Sequence, residues 1–201
     1  SQISSIPQRD GYNLFVSKTH DLPMHASSMG YVTLHEMFHI FQTSHYSTDS
    51  YDEQRMLNGR FSGDNPEDDV PWWNEGTAVY FSYIDYARTI NDMSWFKDEM
   101  YCTLLCERDR YGNKSRLEIF KESGIKLNNI TFSGNLDPID KQIAYEIGAW
   151  FVAYLVNEHG EDKILDIYSL YEEFGFEKSF EIQFGKDYRT YLEEFYEFLD
   201  L

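Results

Sequence analysis

Two imidazoles and a carboxylate stand together in the string His35-Glu36-Met37-Phe38-His39. On a helix, side chains four positions apart lie about 6 Å apart on one face, close enough for both rings to converge on a single zinc ion. On a strand the same pair would be about 13 Å apart and could not share a metal. Glu36 falls beside such an ion rather than on it, where a carboxylate can take a proton from metal-bound water. A string of this kind arises in about 2% of shuffled chains of this composition, so a third ligand is required before it means anything. Glu75 supplies one in Trp72-Trp73-Asn74-Glu75-Gly76-Thr77-Ala78, at the start of a helix able to pack against the first. Gly76 would let those two helix backbones approach closely, Ala78 is small for the same purpose, and the Trp pair would wall the cavity against water. The bland alternative for Glu75 is a first-turn glutamate favoured by the helix dipole.

The elements that must position these groups are mostly helices. Gly11 to Val16 reads as a strand and Ser28 to His45 as a helix, with Leu34, Met37, Phe38 and Phe41 on one face and Tyr31, His35, His39 and Gln42 on the other. Bulky groups on both faces predict a central helix. A second helix is expected from Trp73 or Asn74 to Ile90, and a third from an N-cap at Ser94 to Arg110. Asp137 and Pro138 open a long helix that carries Ile139, Ile143, Ile147, Phe151 and Tyr154 and stops at Gly160. Further helices follow over Glu161 to Phe174, Phe176 to Phe184, and from Lys186 onward. The fold class is therefore mainly α, α+β at most. It forms one domain over residues 1–201, with residues 1–26 extended and 27–201 helical.

Composition narrows the partners. With 201 residues, 42% apolar and 17% aromatic, the chain can bury a core of its own. Lys+Arg 17 against Asp+Glu 35 gives a net charge of −18, which repels phosphate backbones and excludes nucleic acid as a partner. No apolar run is long enough for membrane insertion. The stretch Ser47 to Val70 holds Asp49, Asp52, Glu53, Asp64, Glu67, Asp68 and Asp69, and predicts a solvated acidic loop. A calcium site there is unsupported, because no EF-hand order of ligands occurs. Cys102 and Cys106 read as a buried, reduced pair, since neighbours one helical turn apart give poor disulfide geometry.

Taken together, His35, Glu36, His39, the following Gln42 and the block Trp73-Asn74-Glu75-Gly76-x-Ala78 resemble the gluzincin metallopeptidases. This is the peptidase-MA-like group that includes thermolysin, its related aminopeptidases and the bacterial collagenases. The likeness extends more weakly to Ala144-Tyr145 and to Tyr154-Leu155-Val156 with Glu161, and spans about residues 25 to 200. It implies a zincin-like catalytic domain with one catalytic Zn2+ on His35, His39 and Glu75, Glu36 as general base and a peptide or protein substrate. The 35 residues between His39 and Glu75 resemble the looser spacing of collagenase-like members. Only 34 residues precede His35, so the four-stranded sheet of that fold is expected to be reduced or truncated. No GxMEN-type amine-binding motif stands upstream, which favours internal cleavage. The aspartate that thermolysin carries four positions beyond its ligand glutamate is Val79 here. The resemblance also implies a secreted or periplasmic protein.

A developing oxyanion needs a second donor, and Tyr145 is the candidate because it lies off the Ile139/Ile143/Ile147 stripe beside small Gly148 and Ala149. Packing is its bland alternative. His20, His25 and His45 are alternative donors or simple loop histidines, and His159 reads as a helix-terminal cap. The expected function is zinc-dependent peptide hydrolysis by an endopeptidase. Its rivals are a gluzincin-like zinc-containing binding or scaffolding module without activity, and hydrolysis of a non-peptide substrate.

Overall fold

A proline at the first position of a helix sacrifices no hydrogen bond, and Pro71 opens the helix around which this chain is built. The computed structural model describes residues 2–8, 11–17, 26–48, 50, 53–54, 57, 70–107, 112–131 and 138–201. Its first element is a hairpin: β1 (Gln2–Gln8) pairs antiparallel with β2 (Gly11–Ser17), in a register running from Gln2 opposite Ser17 to Gln8 opposite Gly11. Helices α1 (Ala26–Thr43), α2 (Pro71–Thr89), α3 (Met93–Leu105), α4 (Arg116–Ser123) and α5 (Pro138–His159) follow. The chain then continues through α6 (Glu161–Asp166), a 3-10 turn at Ile167–Leu170, α7 (Tyr171–Phe184) and α8 (Tyr188–Phe198). The architecture is mainly α, as the periodicity predicts. Among the described residues the only sheet is the two-stranded hairpin, with β1 the strand nearer α1.

The core lies between α2 and α5. Their backbones touch: a Cβ on Gly76 would come within 2.4 Å of the Gly148 carbonyl carbon, and one on Gly148 within 2.2 Å of the Trp72 carbonyl oxygen. Gly76 therefore serves a close approach as expected, but to α5 and not to α1. The α1–α2 contact is made instead where Gly30 meets the Tyr86 ring and where Phe38 stacks on Phe81 at 4.9 Å. Trp72 and Trp73 are fully buried. Trp72 packs on Phe151 and Tyr188, and Trp73 on Phe180, so the pair fills the core instead of walling a cavity. Residues of this size cost about 3–5 kcal/mol when truncated to alanine in a core.

Several local expectations are corrected. Helix α1 is not central: among its described side chains only Phe38 and Gln42 are buried, and Met37 is 51% exposed, while α2 and α5 take the interior. Helix α3 is capped by Asp92, whose carboxylate accepts from the Ser94 and Trp95 amides and displaces Ser94 from the role. It ends at Leu105, short of Arg110. Cys102 and Cys106 are half-buried and joined in a disulfide. Cys106 stands just past the end of the helix, outside its regular geometry (φ −72°, ψ 131°), and its Cα lies 4.5 Å from that of Cys102, within disulfide reach. The glycine breaks hold: Gly175 bends α7 at φ +68° and Gly185 ends it at φ +82°. Asp137, His20, His25 and most of the acidic stretch from residue 47 to 70 lie outside the described residues.

Candidate metal centre

Helices α1 and α2 run antiparallel, so the His35/His39 face of one meets the N-terminal half of the other. The result is a triangle of donor atoms. His39 Nε2 lies 3.1 Å from His35 Nε2, and Glu75 Oε2 lies 3.2 Å from each of them. Four ligands placed tetrahedrally about 2.0–2.1 Å from an ion stand about 3.3 Å from one another. The three protein atoms thus already have the separation that a shared ion requires, and this His-His-Glu group could hold a metal ion. Among the described residues no other cluster of His, Cys, Asp and Glu does so.

The triangle is buried at its carboxylate and partly exposed at its histidines. The Glu75 side chain is 3% exposed, whereas those of His35 and His39 are 13% and 17% exposed. Helix α2 starts at Pro71 and has no acidic residue in its first turn, so Glu75 sits beyond the reach of a simple first-turn dipole effect. A buried carboxylate pressed against two ring nitrogens must be compensated, either by protons on those rings or by a cation.

His39 is also held from behind. Its Nδ1 lies 2.7 Å from Gln42 Oε1, and the Gln42 amide nitrogen donates to the Asn74 carbonyl at 2.9 Å, to Thr77 Oγ1 at 2.9 Å and to the Tyr168 hydroxyl at 3.2 Å. Gln42 is 1% exposed. Burial pushes the Tyr168 hydroxyl well above the ordinary phenol range, against the pull of its hydrogen bonds to Thr77 and Gln42, and keeps it protonated.

Tyr145 is half-buried on α5, with its ring stacked on that of His35 at 5.8 Å between centroids and 10° between planes. Lys141, one turn earlier, places its ammonium 5.8 Å from the centroid of the Tyr145 ring. Next to Tyr145, Glu146 receives the buried Arg116 Nε at 2.6 Å, which clamps α4 to this part of α5. Glu36 is half-buried beside His35, and among the described residues no group hydrogen-bonds or ion-pairs with it. His45 is not brought to the site: its Nδ1 meets the Phe41 carbonyl and its ring packs on Phe41 and Tyr168. His159 lies in the last turn of α5 and reaches the Tyr191 hydroxyl at 3.0 Å.

Sequence reasoning placed Gln42 on the correct face without a task, and missed Tyr168 altogether. The Gln42 role was open to a spacing argument, being three positions from His39 on one helix. Tyr168, 126 positions from Gln42, had no local signal. Comparison with models of protein families, with curated proteins and with solved structures finds no match.

Proposed function

We propose that this chain is a zinc-dependent peptidase of gluzincin type, acting on internal bonds of extended peptides. The observation that supports it best is the His35/His39/Glu75 triangle, partly exposed at its two histidines, with the Glu36 carboxylate next to His35 in the chain and without a partner among the described residues. Two imidazoles and one carboxylate suit zinc and leave a position for water. Zinc held there supplies Lewis acidity, bringing the pKa of a water molecule to about 7 and polarising a substrate carbonyl. Glu36 takes the proton released from water on its carboxylate and later passes it to the leaving nitrogen. Tyr145, kept alongside His35 by ring stacking, donates its hydroxyl proton in a hydrogen bond to the developing oxyanion. The hairpin leaves each strand an outer edge among the described residues, and backbone pairing with an extended peptide there would make side-chain preference broad.

The test is elemental analysis of protein purified without added metal, read for zinc and iron alike because a two-imidazole, one-carboxylate set also serves iron. It is combined with mass spectrometry of a mixed peptide pool before and after chelation. Stoichiometric zinc and chelator-sensitive internal cleavage are expected. Bound zinc without cleavage of any peptide would favour a binding or scaffolding module. Stepwise loss of N-terminal residues, blocked by acetylation, would make the enzyme an aminopeptidase.

A further inference from the structure

The donor and acceptor roles in the cluster behind His39 are set from its ends, because the cluster terminates on backbone carbonyls that can only accept. Thr77 Oγ1 lies 2.7 Å from the Trp73 carbonyl and 3.1 Å from the Asn74 carbonyl, so the single Thr77 hydroxyl proton goes to backbone and its oxygen is left to accept. The Tyr168 hydroxyl, 2.9 Å away, then donates to Thr77. The Asn74 carbonyl, 2.9 Å from Gln42, fixes which end of that side chain is nitrogen: the reverse placement would set two acceptor oxygens against each other in a buried position. Gln42 therefore turns its oxygen towards His39, and at 2.7 Å the Nδ1 must be the donor.

We infer that Gln42 is a positioning residue that locks His39 in the tautomer protonated at Nδ1, so that Nε2 faces the donor triangle as an acceptor, with its lone pair, before any ion arrives. This deepens the metal-site reading and depends on it only for the use to which the lone pair is put. In the locked tautomer His39 cannot donate to Glu75 across their 3.2 Å separation, so a plain His39–Glu75 hydrogen bond does not account for the closeness of the two. Orientation is supplied here by a neutral amide held by the core, where metal-binding histidines elsewhere use a carboxylate, a backbone carbonyl or water. The alternative arrangement has its proton on Nε2, aimed at Glu75, and belongs to a site built for a hydrogen bond instead of an ion.

The two arrangements are distinguished by nitrogen-15 NMR of the histidine rings in metal-free protein at about pH 8, where ordinary imidazoles are neutral. His39 is assigned by comparison with His39→Asn. A protonated Nδ1 and a pyridine-like Nε2 are expected, and a protonated Nε2 overturns the inference whatever the protein hydrolyses. In Gln42→Leu the tautomer should revert to a mixture, and zinc affinity, measured by competition with a chromophoric chelator, should fall by about 10–100-fold. Undiminished affinity in a folded Gln42→Leu protein would overturn the positioning role. Should that variant fail to fold, Tyr168→Phe removes one support of Thr77 and leaves the Gln42 oxygen in place, so His39 should keep its tautomer there. A tautomer lost in Tyr168→Phe would likewise count against Gln42 as the residue responsible. A locked His39 in a protein that binds no zinc would leave the inference standing and defeat the proposed function.

Discussion

Replacing Gly148 by alanine adds one methyl group at the point where α5 crosses α2. The new Cβ would stand 2.2 Å from the Trp72 carbonyl oxygen and 3.3 Å from the Gly76 Cα, whereas ordinary contact begins at 3.4 Å. Both neighbours are backbone, so no side chain can swing aside and the helices must part by about 1 Å. Overpacking of this kind costs about 3 kcal/mol, of which about 1 kcal/mol is recovered because alanine is the better helix former. A net loss of about 2 kcal/mol lowers the melting temperature of a chain of this size by about 4–8 °C. The site should register the same displacement. Tyr145 lies one turn before Gly148 on α5, while the donor triangle belongs to α1 and α2, so parting α5 from α2 should leave metal content intact and lower turnover by about 10²-fold. Thermal melts, elemental analysis and peptide hydrolysis on the same preparation read all three quantities. A melting temperature equal to or above that of the parent protein would refute the backbone contact, and with it the account of what holds Tyr145 in place.

Glu36→Gln should keep its fold and its ion but lose at least about 10³-fold in hydrolysis, and near-normal turnover would defeat the mechanism. Tyr145→Phe should lower turnover by about 10²–10³-fold with the melting temperature little changed, and an unaltered rate would assign the ring to packing alone. Glu75→Ala should no longer purify with stoichiometric metal, since only the two imidazoles of the triangle remain, and undiminished metal would remove Glu75 from the site. Asp187 caps α8, and its carboxylate is held below the ordinary aspartate range, chiefly by the Thr190 hydroxyl. A lowered folded-state pKa gives stability that is present above about pH 4 and lost as pH falls through the lowered value. Asp187→Ala should therefore cost about 1 kcal/mol at neutral pH, with the difference from the parent vanishing in acid melts, and a constant difference would refute the capping account.

What the sequence made legible was local. The HExxH spacing, the stop at Gly160 and the breaks at Gly175 and Gly185 are read from neighbours within a turn or two, and each appears where expected, whereas the helix expected from Trp73 or Asn74 begins at Pro71. Glu75 was legible for a different reason, since a buried site needs a third donor and few carboxylates stand next to a glycine at the start of a helix. Packing partners were not legible. Gly76 announced a close approach, but nothing in its vicinity indicated that α5 would make it in place of α1. The Trp pair announced burial without saying against what. Cys106 could be placed only by knowing that α3 ends one residue earlier, a boundary set by tertiary context. Tyr168 reaches Gln42 only once α1, α2 and the 3-10 turn have assembled, so its part is visible in three dimensions and nowhere else.

His35 and His39 come from one helix and Glu75 from another, 36 positions beyond His39. An ion bridging them therefore closes a loop around the acidic segment between α1 and α2. Bringing together the ends of a chain of that length costs about 3 kcal/mol of entropy in the unfolded state. Because the donors converge only when the helices pack, the binding free energy of the ion becomes folding free energy. At a free-ion concentration a hundredfold above the dissociation constant, the native state gains about 2.7 kcal/mol. Folded lifetime would then follow the free-ion level of the surroundings.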